Sequence, residues 1–122
     1  MNNPMLIDPI DLLTGSALTV SGGATPSVTS NPPLMVAKLS KLHVFVKNSG
    51  TSTNCVITIK GKPTPTSTME TVLAVFTLGA AGAGTDKAGR YIEQFPSYIY
   101  ATAVNADAAN AANVTITLNR FR

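Results

Sequence analysis

From Leu34 onward, apolar residues recur at every second position, the period of strands that keep one face in a core. In the stretch LSKLHVFVKNSGTSTNCVITIKGK, Leu42, Val44 and Val46 alternate with Lys41, His43, Phe45 and Lys47. After the polar loop 48–54, Cys55, Ile57 and Ile59 alternate with Val56, Thr58 and Lys60. The pattern predicts an antiparallel hairpin, 42–46 with 55–59, whose inward Leu42, Val44, Val46, Ile57 and Ile59 organise the core. Pro63 and Pro65 then mark a crossing loop over 61–70. A strand follows over 71–78. Both its even positions (Val72, Ala74, Phe76, Leu78) and its odd ones (Leu73, Val75) are apolar, as in a strand covered on both sides, and its Val, Thr and Phe favour a strand over a short buried helix. Four glycines make 79–89 a flexible loop, a brief strand is expected over 90–94, and Phe95–Pro96 is a candidate cis bond. A second hairpin is expected from 97–105 and 113–121, where Tyr98, Tyr100, Thr102 and Val104 share one face and Ile99, Ala101 and Ala103 the other.

Residues 1–33 break this period. They hold five of the eight prolines and no Lys or Arg. Proline fixes φ and removes a ladder donor, so the segment is expected to be extended and strand-like only over 17–20. Met5, Leu6, Ile7, Ile10, Leu12 and Leu13 are too apolar to be left in water, which makes the segment an arm that lies on a surface, its own body's or a neighbour's. Charge divides the chain similarly: the first 37 residues carry −2 and the remainder +5, for the net +3. The expected architecture is all-β, an antiparallel β-sandwich or jelly-roll-like domain of six to seven strands over 34–122 with an extended N-terminal arm over 1–33.

A chain of 122 residues suffices for one core, and with aromatics at 6% and no Trp that core must be built from Val, Ile, Leu and Ala. Only 12% of residues are charged, which disfavours sequence-specific nucleic-acid binding. Cys55 is the single cysteine, so no intrachain disulfide forms. No run reaches the roughly 18 apolar residues of a membrane span, and MNNPMLIDPIDLL has no basic segment of a secretory signal, so cytoplasmic synthesis without export is expected.

Candidate chemistry is sparse. His43 shares a face with Lys41 and Lys47, whereas Cys55 shares the parity of Ile57 and Ile59, so a Cys–His dyad is not expected and Cys55 reads as a small buried hydrophobe. GAAGAGTDKAG matches no phosphate-binding motif, and no helix N-terminus follows it. Asp107 with Asn105 and Asn110 offers one carboxylate, far short of a calcium shell, and reads better as Asn-rich turn chemistry. The Asn113-Val114-Thr115 triplet has no consequence without export. Tyr91, Phe95, Tyr98 and Tyr100 form a candidate carbohydrate platform that lacks Trp. No cofactor motif is present, and six carboxylates, one His and one Cys without a convergent pair argue against an enzyme.

Through VFVKN, ITIKGKPTPT, FPSYIYATAVN and the closing VTITLNRFR, the chain resembles the small β-sandwich virion structural proteins of tailed bacteriophages, of the capsid decoration or cement kind or the neck and tail accessory kind. The resemblance covers about 38–122 and lies in general character, namely short Val/Thr/Ile strands, Thr/Asn/Gly loops and low charge. It implies a capsid decoration protein located in the virion, a homo-oligomer with a trimer as one form, with the major capsid protein or other virion proteins as partners and no membrane or cofactor. The residues expected to meet the partner are Met5, Leu6, Ile7, Ile10, Leu12 and Leu13 of the arm, and Lys41, Lys47 and Lys60 of a basic face. The alternative function is a carbohydrate-binding or host-surface-binding sandwich module.

Overall fold

The period-two runs form strands where the alternation places them. The computed structural model describes residues 6–20 and 25–122. Among these lie nine strands and no helix: β1 (Leu6–Leu18), β2 (Ser27–Thr29), β3 (Leu34–Met35), β4 (Lys41–Asn48), β5 (Cys55–Lys62), β6 (Thr71–Leu78), β7 (Lys87–Ile92), β8 (Tyr98–Asn105) and β9 (Ala112–Phe121). They make two antiparallel sheets packed as a β-sandwich. The first has the order β1-β9-β4-β7; the second has the order β2-β8-β5-β6, with β3 also on β8. The core between them is aliphatic, as expected. Leu42, Val44 and Val46 of β4 and Val114, Ile116 and Leu118 of β9 meet Ile57 and Ile59 of β5 and Ile99, Ala101 and Ala103 of β8, all buried.

Neither expected hairpin forms. β4 pairs with β7 and β9, and β5 with β6 and β8, so the 49–54 loop crosses from one sheet to the other. The same holds for β8 and β9, which lie in different sheets. Alternation requires only that each strand put one face into a core. Two strands facing each other across a sandwich satisfy it as well as two lying side by side, and the six residues of 49–54 reach across the ~10 Å between sheets. A two-residue Asn-Gly type turn, which would have forced a hairpin, is missing from this loop.

The N-terminal segment also differs from expectation. The short strand expected over 17–20 is instead a thirteen-residue strand, β1, paired antiparallel with β9 from Leu6↔Phe121 to Leu18↔Ala112. Three register shifts interrupt the pairing. Pro9 is tolerated because β1 is an edge strand and Pro9 falls at the register shift between Ile7 and Ile10, where a missing N–H interrupts no regular ladder. Leu13 and Leu18 are buried in the common core, with Ile10 and Leu12 packed against it. β2 and β3 likewise join β8, so the described part of 1–33 lies on its own body, one of the two surfaces the sequence allows. The cis peptide bond of the described chain is Asn31–Pro32, not Phe95–Pro96. β6 is an edge strand rather than one covered on both sides: Ala74, Phe76 and Leu78 are buried, but Val72 and Val75 face solvent.

Candidate binding surface

The outer face of the first sheet carries the side chains opposite in parity to the core. On β4 these are Lys41, His43, Phe45 and Lys47, and the register sets them beside Phe121, Asn119, Thr117 and Thr115 of β9. On the other side, β7 sets Tyr91 beside His43, Gly89 beside Phe45 and Lys87 beside Lys47. His43 stacks on Tyr91 with ring centroids 3.8 Å apart and tilts against Phe45 at 4.1 Å. The Lys41 ammonium lies 4.9 Å from the Tyr91 ring and 5.0 Å from the Phe121 ring. The result is a continuous aromatic and cationic strip in which Tyr91 is 53% and Phe45 41% exposed. Gly89 leaves the side of Phe45 open, since a Cβ there would crowd both His43 and Phe45.

Beyond Phe45 the strip opens into a groove of about 720 Å³ lined by Phe45, Lys47, Lys87, Thr115 and Thr117, with Gly82 and Gly84 on its rim. These two glycines have φ near +81° and +82°, a conformation that suits glycine, and they shape the 79–86 loop. That loop is a hydrogen-bonded turn: Gly79 N–H donates to the Thr85 carbonyl at 3.0 Å and Ala81 N–H to the Gly50 carbonyl at 2.9 Å. Lys47 and Lys87 stand directly opposite each other on adjacent strands, with no carboxylate paired to either among the described residues, a like-charge pairing that a sheet ordinarily avoids.

The outer face of the second sheet is different. Lys60 and Lys62 lie over Tyr100, with ammonium-to-ring distances of 6.0 and 4.6 Å, and Lys60 pairs with Glu70 at 3.2 Å. The buried Tyr100 hydroxyl donates to Glu70. That bond, with Lys60 beside it, holds the Glu70 carboxyl below its ordinary range, while burial and the same bond push the Tyr100 hydroxyl up to about 12. The expected basic face therefore divides. Lys41 and Lys47 lie on one outer surface and Lys60 on the opposite one, because β4 and β5 belong to different sheets. The candidate tyrosine platform divides as well: Tyr100 is buried, Tyr98 is half-buried with its hydroxyl directed at Met35 Sδ (3.7 Å), Phe95 packs on the core, and only Tyr91 joins the strip.

Of the arm residues, Met5 lies outside the described residues. Leu6 is 56% exposed, Ile7 half-buried, Ile10 and Leu12 half-buried against the core, and Leu13 buried. The last three are occupied by the molecule's own core; Leu6 alone of the six is solvent-facing among the described residues. His43 and Cys55 lie in different sheets, and burial pushes the Cys55 thiol up to about 11. Asn113 of the glycosylation triplet sits inside paired β9, not in a loop.

One end of the sandwich holds a polar network that the alternation conceals. The buried Asn48 amide donates to the carbonyls of Ser52 (3.1 Å) and Gly79 (3.0 Å), and its oxygen accepts from the N–H groups of Gly50 (2.9 Å) and Asn113 (3.0 Å). The buried Ser52 hydroxyl donates to Asn105 Oδ1 at 2.7 Å, and the Asn105 amide donates to the carbonyls of Leu18 and Asn110. Asp107 accepts from the N–H groups of Thr53, Ala109 and Asn110 and from the side chains of Thr53 and Asn110, which holds its carboxyl well below the usual range. Its oxygens thus order the 106–111 turn. Asn48 and Asn105 occupy inward parity, in line with Val46 and Ala103; a polar residue there is the signal that marks such a clamp.

No family model and no curated protein sequence matches the chain. Solved structures share its fold. PBSX exported protein XepA is 12% identical with a TM-score of 0.66 over 93% of this chain, which spans 36% of that protein. PirA is 7% identical, TM-score 0.55, with 93% of each chain covered. A carbohydrate-binding module of Cellvibrio mixtus lichenase 5A, solved in complex with cellotriose, is 13% identical, TM-score 0.51, with 94% of this chain and 98% of that one covered. At these identities the likeness is one of fold.

Proposed function

We propose that the protein is a non-catalytic virion structural protein of the decoration or cement kind, which docks the outer face of its first sheet onto an assembled protein lattice. The observation that carries the docking face is the strip of Lys41, Tyr91, His43, Phe45 and Phe121: aromatic side chains left open to water beside a lysine ammonium favour a partner surface that is part apolar and part acidic. The virion assignment is supported by the phage-like character of 38–122. Docking to the assembled lattice, and not to its free subunits, would stabilise the shell by linkage. Virions made from the genome that encodes this chain are the material for the test. They should carry the protein in copy number proportionate to capsid subunits, and added protein should co-sediment with stripped particles. Phe45→Ala with Tyr91→Ala should weaken that binding by about tenfold or more, the scale of losing two aromatic anchors. Absence from purified particles, or undiminished binding by the double variant, refutes the reading.

A second reading, a carbohydrate-binding module, is favoured by the groove beside Phe45. Its volume falls within the range of small-ligand sites, and Phe45, Thr115, Thr117 and Lys47 supply one stacking surface and several hydrogen-bonding groups. Glycan-array binding that disappears in Phe45→Ala would replace the lattice reading with this one; no Phe45-dependent binding rejects it.

A further inference from the structure

An edge strand presents outward N–H and C=O groups that template the addition of another strand, and proteins ordinarily blunt such edges with charge, proline, bulges or brevity. Among the described residues, three sheet edges of this molecule are blunted. β1 contains Pro9 and Asp11, and its pairing shifts register three times. β7 is six residues long and carries Lys87 and Arg90. On the remaining side of the second sheet, β2 and β3 are three and two residues long, with Pro32 and Pro33 between them.

β6 is the least blunted of the four edges. Its eight residues, TVLAVFTL, contain no charge, proline or glycine, and among the described strands it pairs with β5 alone. Its one irregularity is a bulge near its start, where the register passes from Ile59↔Ala74 to Lys60↔Val72 and Leu73 is the extra residue; from Ala74 to Leu78 the strand runs regularly. Val72 is 57% and Val75 49% exposed, and Met69 just before the strand is 71% exposed. Exposed apolar bulk is thus concentrated within seven residues of this edge. Glu70, the nearby acid, is held by Tyr100 and Lys60. Arg90 covers the Phe76 ring at 5.4 Å and closes the seam between the sheets, but it belongs to the other sheet.

We infer that β6 is the interface of a homodimer, in which two copies pair antiparallel edge to edge and join their second sheets across a two-fold axis. The outward backbone groups specify a strand as the occupant, and the blunting of the other edges leaves a second β6 as the strand that fits. Pairing about Val75 sets Val75 against Val75, and sets Ala74 of one copy opposite Phe76 of the other on the inward side, small against large. An isologous contact of this kind closes at two copies and does not propagate into a filament. The interface is on the second sheet, away from the proposed docking face, and stands whether or not that face binds a lattice.

Sedimentation equilibrium of the full chain tests the inference. The expected mass is twice the 12.6 kDa of one chain, falling toward one chain on dilution. Val75→Lys sets two ammonium groups against each other across the axis and should weaken the dimer about tenfold or more, with the far-ultraviolet circular dichroism spectrum of the folded chain retained because the site is half-exposed. In Val75→Cys, with Cys55 buried, a short thiol-to-thiol crosslinker should trap covalent dimer, whereas Lys47→Cys on the first sheet should not. A chain that stays monomeric at every concentration, a trimer, or a dimer insensitive to Val75→Lys and not trapped through residue 75 overturns the inference.

Discussion

The buried amide of Asn48 gives the sharpest test of how this sandwich is closed. Asn48→Ala removes four hydrogen bonds at once and leaves two carbonyls and two N–H groups without their partner. At about 1 kcal/mol net for each bond, the loss is about 4 kcal/mol. Three of the four partners lie where water can partly replace the amide, which reduces the loss to about 3 kcal/mol. That is a large part of the ~5–15 kcal/mol of a typical domain. Urea unfolding followed by circular dichroism reads it directly: with a slope of about 1.5 kcal/mol/M, the midpoint should fall by about 2 M at unchanged slope. Asn119→Ala, at a half-exposed position on the outer face, should shift it by less than about 0.3 M. A shift for Asn48→Ala as small as that control would show that the arch does not depend on this side chain.

Asn48→Asp sharpens the same point through pH. It keeps an oxygen for Gly50 and Asn113 but turns a second oxygen toward the Ser52 and Gly79 carbonyls. Burial and facing carbonyls favour the protonated acid, so this carboxyl's folded-state pKa lies above its unfolded value of ~3.9. The folded state then binds the proton more tightly than the unfolded one. Relative to Asn48→Ala, the variant gains stability as pH falls toward ~4 and loses it as pH rises. An offset between the two variants that is flat in pH would contradict the assignment of donors at this site.

Three further outcomes follow from the packing. Cys55, fully buried with its thiol pushed up to about 11, should label with a thiol reagent at pH 8 far more slowly than free cysteine and at a rate that tracks unfolding; rapid labelling of native protein would place it at the surface. A Cβ at Gly50 would come within 2.6 Å of the Ala111 carbonyl oxygen and 2.9 Å of Ala112 Cα, both backbone atoms. Gly50→Ala should therefore cost about 2 kcal/mol or more in urea unfolding, against about 1 kcal/mol for Gly82→Ala, which has open space and only its positive φ to oppose it. The Tyr100 hydroxyl, raised from 10.0 to about 12 in the folded state, contributes stability present below pH ~10 and lost as pH rises toward 12; Tyr100→Phe should show a shallower alkaline decline, and an identical decline would exclude this residue as its source.

Which residues face inward is a local property, and it was legible. Leu42, Val44, Val46, Ile57 and Ile59 are all core, Cys55 is buried among them, and β6 and β8 begin and end within a residue of where the period-two pattern starts and stops. Which strand lies beside which is not local. β4 and β5 carry the same alternation whether they pair edge to edge or face each other, so the basic side chains at 41, 47 and 60 fall on one surface in the first case and on two in the second. β1 was hidden for a related reason: Pro9 argues against a strand only if both edges of that strand are paired, and β1 has one.

The polar residues at inward parity carry the missing information. Asn48 ends β4 where a fourth inward aliphatic residue would extend the core, and Asn105 does the same on β8. In a hairpin the chain turns back along its own sheet, and the ladder itself satisfies the backbone at the turn. In a crossing the chain leaves one sheet before reaching the next, and the N–H and C=O groups of the intervening residues lose their ladder partners inside the protein. A side chain with two donors and an acceptor, placed on the inward face at the strand's end, replaces those partners: Asn48 does so for 49–54 and the 79–86 loop, and Asn105 for the β8–β9 crossing. An inward-parity Asn at the end of an otherwise aliphatic strand is thus a sign of an inter-sheet arch, and in this chain it distinguishes the sandwich connection from the hairpin that alternation alone suggests.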